Sequence, residues 1–523
     1  MADVQPIAEK GPANETSADE PEENHDSSSP GDLTYDNEDE EPELHARTYI
    51  ALAAMFLLNF IQAFALTGPP TVLSYIGTDL HDPLSQTWIP SVFSLVQAVL
   101  SPLFASISDT FQARKALLVV PALISFIGAA IAPTATSMSR WIMMAVWGLT
   151  AAGIFFGYRP PRRHTRFDSL SFLQKIRRLD LPGFGLLTAG LTLLLTGINL
   201  GGGLYSWNSG PVLSTLIIGI VLLVSFGLYE WRITETGILD HALFRGGKHR
   251  GRTFAICVAL MFLEGIIVFG FFVFYPVLTA SLFEEDPFLG AARIQPYWLA
   301  CGLGTIIFGI WSTRARTIKV PLLVGFAILT SGFVGLATIQ PGHSLSAVVF
   351  AGLAGLGVGA PLILILAGVQ LSTPHHLIAT ATAATTSARS VSGTAFTAIY
   401  AAALNDGLTK KMPAYIANAV IRAGLPLSSV AAFVNALAAK DTAALPKIPG
   451  VTPMIIQAGL GGMKQAFADS IRVVYIIAAP FGLLACIGCL FLGDLRTTMS
   501  YRVDAPVEKL KAKHHRGNTP IAV

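Results

Sequence analysis

Two ionisable side chains lie inside apolar runs that are long enough to cross a lipid bilayer. Glu264 interrupts the run MFLEGIIVFGFFVFYP. Arg389 lies in a second run, in which the neighbouring residues on its own helix face are small and polar. An ionisable group within a membrane span costs about 2.5–3.5 kcal/mol on insertion scales, so it requires an aqueous cavity, a partner or a function that offsets the cost. These two residues are therefore the first candidates for a functional site.

Glu264 has two interpretations. As a functional group, it takes up and releases a proton while the protein changes conformation, because burial favours the neutral form of a carboxylic acid. As a structural group, it is a carboxyl that is bonded to neighbouring backbone or to Arg389. For Arg389 we expect a role as an intramembrane counter-ion or a helix-packing residue. The sequence alone does not decide between the two interpretations of Glu264.

Other residue types that perform chemistry form no recognisable site in the sequence. Cys486 and Cys489 have the CxxC spacing that is typical of redox and metal sites. Their apolar run is uncharged, however, and no second pair of cysteines lies nearby. His375 and His376 lie beside Pro374 at a helix end, where solvated capping residues are common. The sequence contains no GxxxxGK[ST] nucleotide loop and no nucleophile–base grouping. We predict no enzyme activity, no metal, no cofactor and no nucleic-acid partner.

The composition is that of a polytopic membrane protein. Of the 523 residues, 52% are hydrophobic and only 13% are charged, roughly half the charged share of an ordinary soluble domain. Only helices or closed barrels span a bilayer, and the period-2 alternation of barrel strands is absent. We predict an all-α fold with about twelve transmembrane helices. Their approximate bounds are 49–75, 88–107, 116–135, 141–157, 181–200, 212–229, 254–282, 294–311, 321–339, 347–371, 379–404 and 473–492.

Positive charge determines the predicted orientation of these helices. Short loops that are rich in Lys and Arg stay on the cytoplasmic side of a membrane. The short loops on one side contain seventeen such residues, and those on the other side contain two, Arg140 and Arg293. Segment 159–180 alone contributes seven of the seventeen. Both termini are then predicted to be cytoplasmic.

Charge and hydropathy divide the chain into six parts. The first 45 residues carry fifteen acidic side chains and almost no aromatic ones, and such a segment cannot bury enough surface to fold. Segment 405–470 has the apolar spacing of short amphipathic helices on the outer surface. The predicted parts are a disordered acidic cytoplasmic tail at 1–46, a group of four helices at 47–158, a basic cytoplasmic loop at 159–180, a helix pair at 181–232, a group of six helices at 253–495 that includes a long outer loop at 405–470, and a basic cytoplasmic tail at 496–523.

Polar and aromatic residues within the apolar runs are candidates for the lining of a cavity. Tyr275 continues the helical face of Glu264, because the two residues are eleven positions apart. Sequence periodicity does not determine which faces of the other helices point inward. The cavity candidates are Asn59, Gln62, Gln97, Tyr275, Tyr297 and Trp298.

Several segments together resemble one family. The segment SDTFQARK at 108–115 is similar to the inter-helix motif of major facilitator superfamily transporters in its fungal form. The segments YRPPRR at 158–163, LDLPG at 179–183, FLEGIIVFGFFVFYP at 262–276 and VQLSTPHHLIATATAATTSAR at 369–389 resemble the fungal trichothecene efflux pump-like group. That group neighbours the fungal siderophore-iron transporters. The resemblance covers about Tyr49 to Leu495.

This resemblance implies a proton-coupled secondary carrier of two helical bundles, usually with fourteen helices, of which an extra pair links the bundles. It also implies that Asp109, Arg114 and Lys115 form a conformational latch, in which an Asp is held against a facing helix end and released by rearrangement. The first bundle departs from the family pattern, because the family's fourth and fifth helices are missing between Arg140 and Trp141. The resemblance thus implies a fourteen-helix plan without two helices, in which 47–158 is an incomplete N-terminal bundle, 181–232 is the linker helix pair and 253–495 is the C-terminal six-helix bundle.

Three functions are compatible with this pattern. The first is the export of hydrophobic toxins or drugs by proton exchange, with membrane lipids, protons and a small hydrophobic substrate as partners. The second is siderophore-iron uptake on the same fold. The third is a truncated, non-transporting membrane protein, which the four-helix first bundle favours. We expect the plasma membrane as the location, with the vacuolar membrane as the alternative.

Overall fold

The computed structural model describes most of the chain between the two tails. The described residues are 42–43, 46–71, 73, 77, 88–111, 113–131, 138–158, 171–201, 205–234, 237–238, 242–245, 250–374, 377–439, 444–496, 498–499 and 511–512. The predicted acidic tail up to residue 41, the predicted basic loop at 159–170, His375 and His376, and most of the predicted basic tail lie outside the described residues.

Helices account for nearly all of the described chain. In its described residues, every run that is predicted as a span is mainly helical, because an apolar environment offers the backbone no hydrogen-bond partners outside its own turns. The helices are α1 Ala46–Thr71, α2 Trp88–Phe111, α3 Arg114–Ile131, α4 Met138–Gly157, α5 Phe172–Arg178, α6 Leu181–Leu200, α7 Gly210–Arg232, α8 Ala242–Arg245, α9 Arg250–Leu282, α10 Pro287–Ala292, α11 Gln295–Ala315, α12 Lys319–Leu336, α13 Ser344–Ser372, α14 Ile378–Arg422, α15 Leu427–Ala438 and α16 Pro453–Leu490, with a 3-10 turn at Leu445–Lys447.

Length and composition identify eight helices in the described chain that could cross a membrane. In α1 and α4 the apolar windows are shorter, at Thr48–Gln62 and Met143–Gly157. Helix α14 is long but rich in threonine and serine. The predicted all-α architecture is confirmed. The described strands are two-residue segments, β1 Pro42–Glu43 and β2 Lys511–Ala512, which pair antiparallel and so join regions near the two ends of the chain.

The second half of the chain forms one compact bundle. Helices α9, α11, α12, α13, α14 and α16 pack against one another, and the buried residues of the largest core cluster all lie between Leu243 and Leu495. The helices approach closely where glycines face a neighbouring backbone, as Gly357 does against Leu329. These helices correspond to the six that were predicted for the C-terminal bundle.

The first half of the chain is more open. Helix α4 packs on α1 and α3, helices α6 and α7 form a hairpin, and α2 runs along α14 and so joins the two halves. Large apolar side chains point away from these helices: Phe56, Phe156 and Ile217 are 70%, 65% and 58% exposed. Exposed apolar side chains are favourable where the surroundings are lipid, so this surface is suited to a bilayer.

The structure differs from the prediction of a long outer loop at 405–470. Helix α14 contains 45 residues and α16 contains 38, which correspond to lengths of about 68 Å and 57 Å. A bilayer core is about 30 Å thick, so both helices extend well beyond it on the side predicted to be outside. Within the described part of 405–470, α15 is the one separate α-helix, followed by the 3-10 turn at Leu445–Lys447. The segments with amphipathic spacing are therefore mostly extensions of the flanking helices α14 and α16, and not isolated surface helices.

We call residues 405–470 the helical cap. Its core is a second hydrophobic cluster to which α14, α15 and α16 all contribute, including Val420, Phe433 and Ile455. Helix α14 ends where Gly424 adopts a left-handed conformation, with φ of 94°, a backbone geometry that favours glycine. At the base of the cap, the Tyr415 hydroxyl donates to Asp469 Oδ2 at 3.0 Å, and this bond raises the pKa of Tyr415 above its usual value.

The core of the cap yields a stability prediction. Phe433 is fully buried, whereas Leu427, on the same helix α15, is 77% exposed. We expect Phe433→Ala to destabilise the cap by about 3–5 kcal/mol, because it deletes a packed ring and leaves a cavity. Hydrogen exchange of the α15 amides in detergent micelles measures the effect. Leu427→Ala is the control, and equal exchange in the two variants would contradict a packed cap.

Candidate ion-pair site in the C-terminal bundle

Small residues bring α9 and α14 into close contact. A Cβ atom on Gly265 would collide with the Ser392 hydroxyl and the Arg389 carbonyl of α14. The Tyr400 hydroxyl of α14 donates a hydrogen bond to the Ile266 carbonyl oxygen at 3.1 Å. Because the two backbones approach so closely, a side chain from one helix can reach directly into the other.

Glu264 of α9 and Arg389 of α14 form an ion pair at this contact. Arg389 Nε lies 2.9 Å from Glu264 Oε2, and the Glu264 side chain is fully buried while that of Arg389 is 23% exposed. The two groups are close but are not aligned as a hydrogen bond, and neither oxygen of Glu264 accepts a hydrogen bond from a described residue. Of the structural partners considered for Glu264, the structure therefore shows Arg389 and not the backbone.

The two members of the pair differ in their exposure, because Glu264 is fully buried and Arg389 is partly exposed. A buried ion pair is costly unless additional hydrogen bonds satisfy its remaining donors and acceptors, and Glu264 has none from the described residues. Protonation of this carboxylate therefore breaks no hydrogen bond within the described chain. Arg389 is the member of the pair that reaches an accessible surface. Such a site can exchange a proton and present its cation to a ligand.

Aromatic rings surround the neighbouring part of α9. Phe271 stacks between Tyr297 and Tyr275, with ring centroids 4.0 Å and 4.6 Å away. The Tyr275 hydroxyl donates to the Ala347 carbonyl oxygen at 3.3 Å. The Tyr297 hydroxyl is buried and has no hydrogen-bond partner among the described residues. The aromatic stack and the ion pair share helix α9, which carries both Glu264 and Phe271.

The structure separates the cavity candidates into two groups. Tyr275, Tyr297 and Trp298 lie together in the C-terminal bundle, where the two tyrosines are fully buried and the tryptophan is half-buried. In this conformation both tyrosines are part of the largest hydrophobic core cluster. The other candidates lie in the first half of the chain: Asn59 and Gln62 are exposed on α1, and Gln97 is half-buried on α2.

The three residues of the predicted latch lie around the short connection from α2 to α3. Asp109 is in the last turn of α2, and its side chain lies outside the described residues. Arg114 and Lys115 begin α3. Lys115 Nζ lies 4.6 Å from the ring centroid of Phe155 on α4, a distance at which a cation is attracted to a ring face. The latch itself stays a prediction.

Buried hydroxyl groups are a feature that the sequence reasoning missed. Ser91 and Ser94 on α2 and Ser387 on α14 are buried, and their hydroxyls have no hydrogen-bond partner among the described residues. The two helices that carry them pack along each other. The available signal was the spacing of three residues between Ser91 and Ser94 within an apolar run, which places both on one helix face.

The close approach of α9 and α14 can be tested at Gly265. We expect Gly265→Ala to destabilise the protein by about 1–3 kcal/mol, because the added methyl group must displace the α14 backbone. Gly302 on α11 has open space around its Cα, so Gly302→Ala is the matched control and is expected to be neutral. Thermal unfolding can be followed with a thiol-reactive dye, since Cys257, Cys301 and Cys489 are buried. Equal midpoints would contradict the contact.

The architecture and the site define a class of protein. Long apolar helices and a compact helical bundle in the second half of the chain belong to an integral multi-pass membrane protein. The chain belongs to the fungal trichothecene efflux pump family: the family profile described as "Fungal trichothecene efflux pump (TRI12)" matches residues 141–516. The match begins beside the position where two helices are predicted to be missing.

Individual relatives carry transport names. The Trichothecene efflux pump TRI12 of Fusarium sporotrichioides is 23% identical over 383 residues, which cover 72% of this chain and 62% of the relative. The MFS-type transporter prx5 of Penicillium rubens is 24% identical over 69% of this chain and 65% of the relative. Thus this chain spans less than two thirds of the length of these two relatives.

A third relative aligns over more of its length. Efflux pump dotC of Dothistroma septosporum is 22% identical over 514 residues, covering 86% of this chain and 85% of the relative. The alignment is longer than the share of this chain that it covers, so the relative contains residues with no counterpart here. Among solved structures, a bacterial homolog of the human lysosomal transporter Spinster has a TM-score of 0.38 at 16% identity, covering 85% of this chain and 97% of the other.

Proposed function

We propose that this chain is a proton-coupled carrier that exports a small hydrophobic toxin or drug across a membrane. The observation that supports the proposal is the ion pair of Glu264 with Arg389, which is buried between two long helices of a transporter-family bundle. Ionisable residues inside membrane spans mark proton relays and substrate paths. Trichothecene-like toxins are the first substrate class to test, because the family and its relatives bear that name.

The geometry suggests how proton exchange would alter the conformation. With Glu264 ionised, its attraction to Arg389 holds α9 and α14 together at the Gly265 contact. When a proton from one side of the membrane binds Glu264, this attraction is lost while Arg389 keeps its charge. The two helices are then free to shift relative to each other, and the proton leaves to the other side after the shift. One proton is bound and released in each cycle.

Cargo recognition is expected in the same bundle as the ion pair. Trp298 stacks on Phe272 with ring centroids 5.3 Å apart, and both rings are only partly buried. Partly exposed aromatic faces offer apolar contact area to a small hydrophobic molecule. Arg389 lies within the same bundle and offers donors to oxygen acceptors on that molecule. This combination suits a cargo that is largely apolar and carries a few oxygen atoms.

Flux measurements test the proposal. The full chain is reconstituted in liposomes, a proton gradient is imposed, and the movement of a labelled trichothecene is followed. We expect the toxin to move in the direction opposite to the flow of protons, and we expect dissipation of the proton gradient to stop net toxin flux. Gradient-driven accumulation of a ferric siderophore on the cytoplasmic side would instead support uptake. A toxin flux that is independent of the gradient would reject proton coupling.

The first bundle supports a second candidate, a truncated membrane protein that does not transport. The described residues before the basic loop contain four long helices, α1 to α4, and a relative carries residues with no counterpart in this chain. Sequencing the transcript across the codons for Arg140 and Trp141 separates the candidates. A longer product that encodes two more apolar helices favours the carrier, and a product that matches this chain favours the truncated form unless flux is shown directly.

The orientation and location are proposed on charge. Both termini lie on the cytoplasmic side, in agreement with the positive short loops and with the pairing of β1 and β2 near the two ends. The membrane is the plasma membrane, where export removes a toxin from the cell. Epitope tags at each end would be accessible to antibody only after permeabilisation, and labelling of intact cells would overturn the orientation.

A further inference from the structure

Helix α5, at Phe172–Arg178, is a defined structure within the basic loop. Ser171 and Gln174 form a reciprocal cap: the Ser171 backbone N–H donates to Gln174 Oε1 at 2.9 Å, and the Gln174 N–H donates to Ser171 Oγ at 3.4 Å. Such a capping box fixes the start of a helix. The capped helix has the sequence FLQKIRR, in which two apolar residues precede three basic ones.

The position of α5 is set by its neighbours. It ends shortly before Leu181, the first residue of the membrane-length helix α6. Asp180 caps α6 by accepting hydrogen bonds from the Gly183 N–H at 2.9 Å and the Tyr229 hydroxyl at 2.8 Å. At the other end, the Phe172 ring lies 5.6 Å from that of Phe111, the last residue of α2. Helix α5 is therefore held at the level where the membrane helices end.

Two large apolar side chains of α5 have little protein around them. Phe172 is 70% exposed and Leu173 is 64% exposed. In the sequence they precede Lys175, Arg177 and Arg178, and the same predicted cytoplasmic loop carries four more arginines upstream. A short helix with apolar and basic side chains at the level of the helix ends suits the boundary between lipid headgroups and acyl chains.

We propose that α5 is an interfacial helix that binds anionic phospholipids of the leaflet on its side of the membrane. Phe172 and Leu173 insert at the acyl boundary, and the basic residues bind the phosphate and carboxylate oxygens of the headgroups. Charge complementarity supports this occupant, because the cytoplasmic leaflet is the one that carries anionic lipids. Binding here bears on the predicted latch, since Phe172 contacts the end of the helix that contains Asp109.

Helix α10, at Pro287–Ala292, is an internal comparison with the opposite charge. It also begins with a capped turn, in which Asp286 Oδ1 accepts from the Phe288 and Leu289 N–H groups. It also exposes an adjacent Phe and Leu, since Phe288 is 79% and Leu289 is 48% exposed. The residues before α10 are acidic, Glu284, Glu285 and Asp286. The two helices share shape and apolar exposure, but only α5 carries the charge that attracts an anion.

The acidic N-terminal tail is a competing occupant, because its fifteen acidic residues could neutralise the same basic loop. The tail supplies negative charge for the basic residues of α5 but little apolar surface for Phe172 and Leu173. Its first 41 residues contain one aromatic side chain, Tyr35. Phe172 and Leu173 require an apolar partner to become buried. Acyl chains supply that partner together with the negative headgroup, so the lipid accounts for both features of α5.

Native mass spectrometry of the purified full chain tests the proposal. The protein in neutral detergent is titrated with phosphatidylserine and, separately, with phosphatidylcholine of the same chain length. We expect several-fold tighter binding of phosphatidylserine. Lys175→Gln/Arg177→Gln/Arg178→Gln is expected to remove most of that preference, at roughly fivefold for each charge that contacts the headgroup. Phe172→Ser/Leu173→Ser is expected to weaken binding of both lipids.

The controls decide the outcome. Phe288→Ser/Leu289→Ser on α10 is expected to leave the phosphatidylserine preference unchanged, and Arg177→Lys/Arg178→Lys is expected to retain it and to show that the loop tolerates substitution. A preference that persists in the charge-neutral α5 variant would overturn the proposal. A preference that appears only after deletion of residues 1–41 would also overturn it, because the tail would then be the occupant in the full chain.

Discussion

Glu264→Gln is expected to lower proton-driven cargo flux at least tenfold. The substitution keeps the shape of the side chain but removes the group that ionises, so a carrier that binds and releases a proton at this position can no longer couple the gradient to net movement. Exchange of labelled for unlabelled cargo without a gradient is expected to continue, because exchange requires no net proton transfer. Both rates are measured on the full chain in liposomes with a trichothecene as cargo.

The protein provides a matched control for this substitution. Glu230, near the end of α7, is also buried, and its Oε1 accepts a hydrogen bond from the Ile238 N–H at 2.7 Å. It lies in the hairpin of α6 and α7, away from α9 and α14. Because a glutamine oxygen can accept the same hydrogen bond, Glu230→Gln is expected to leave gradient-driven flux unchanged. Flux that is equally unaffected by Glu264→Gln would remove Glu264 from the proton pathway.

The sequence predicts most where the lipid environment permits only one backbone structure. The twelve apolar runs predicted helices, and each contains a helix in its described residues, because backbone groups in lipid can only bond within their own helix. The cost of a charge in a span likewise singled out Glu264 and Arg389 before any contact was known. Their pairing did not follow from periodicity. It depends on the approach of α9 and α14 at Gly265, and a contact between residues so distant in sequence is set by tertiary packing.

The helical cap shows the limit of hydropathy. Residues 405–470 are less apolar than a span, so they were predicted as a loop with short helices. The structure shows instead that α14 continues unbroken to Arg422. Gly407 and Pro413 lie within this stretch and do not end the helix, because tertiary packing around Ile416 and Val420 offsets their cost. Only Gly424, with its positive φ, ends it.

Tyr275 and Tyr297 show that residue type does not determine what surrounds a side chain. Their types predicted a cavity lining, since tyrosine combines an apolar ring with a polar group. The structure stacks both on Phe271 in the bundle core, because a ring face is buried most completely against other rings. The role of the two tyrosines as a cavity lining stays a prediction. Whether the rings face each other depends on the relative rotation of α9 and α11, about which the sequence contains no signal.

Arg389→Gln is expected to destabilise the C-terminal bundle by about 3 kcal/mol, at the lower end of the cost of removing one partner of a buried ion pair. The reason is that Glu264 is fully buried and its carboxylate has no hydrogen-bond partner among the described residues. The lower end applies because Arg389 is partly exposed and its attraction to Glu264 is screened. The loss is expected to shrink in acid, since a protonated carboxyl needs no counter-ion. Unfolding in mixed micelles at several pH values measures it.

The double variant Glu264→Gln/Arg389→Gln separates the ion pair from the packing around it. If the cost of Arg389→Gln comes from an uncompensated buried carboxylate, removing that carboxylate as well restores most of the stability, and the two single changes are strongly non-additive. Additive losses would mean that each side chain stabilises the bundle by its own contacts. In that case the pair would not hold α9 and α14 together, and protonation of Glu264 would have no mechanical consequence for the carrier.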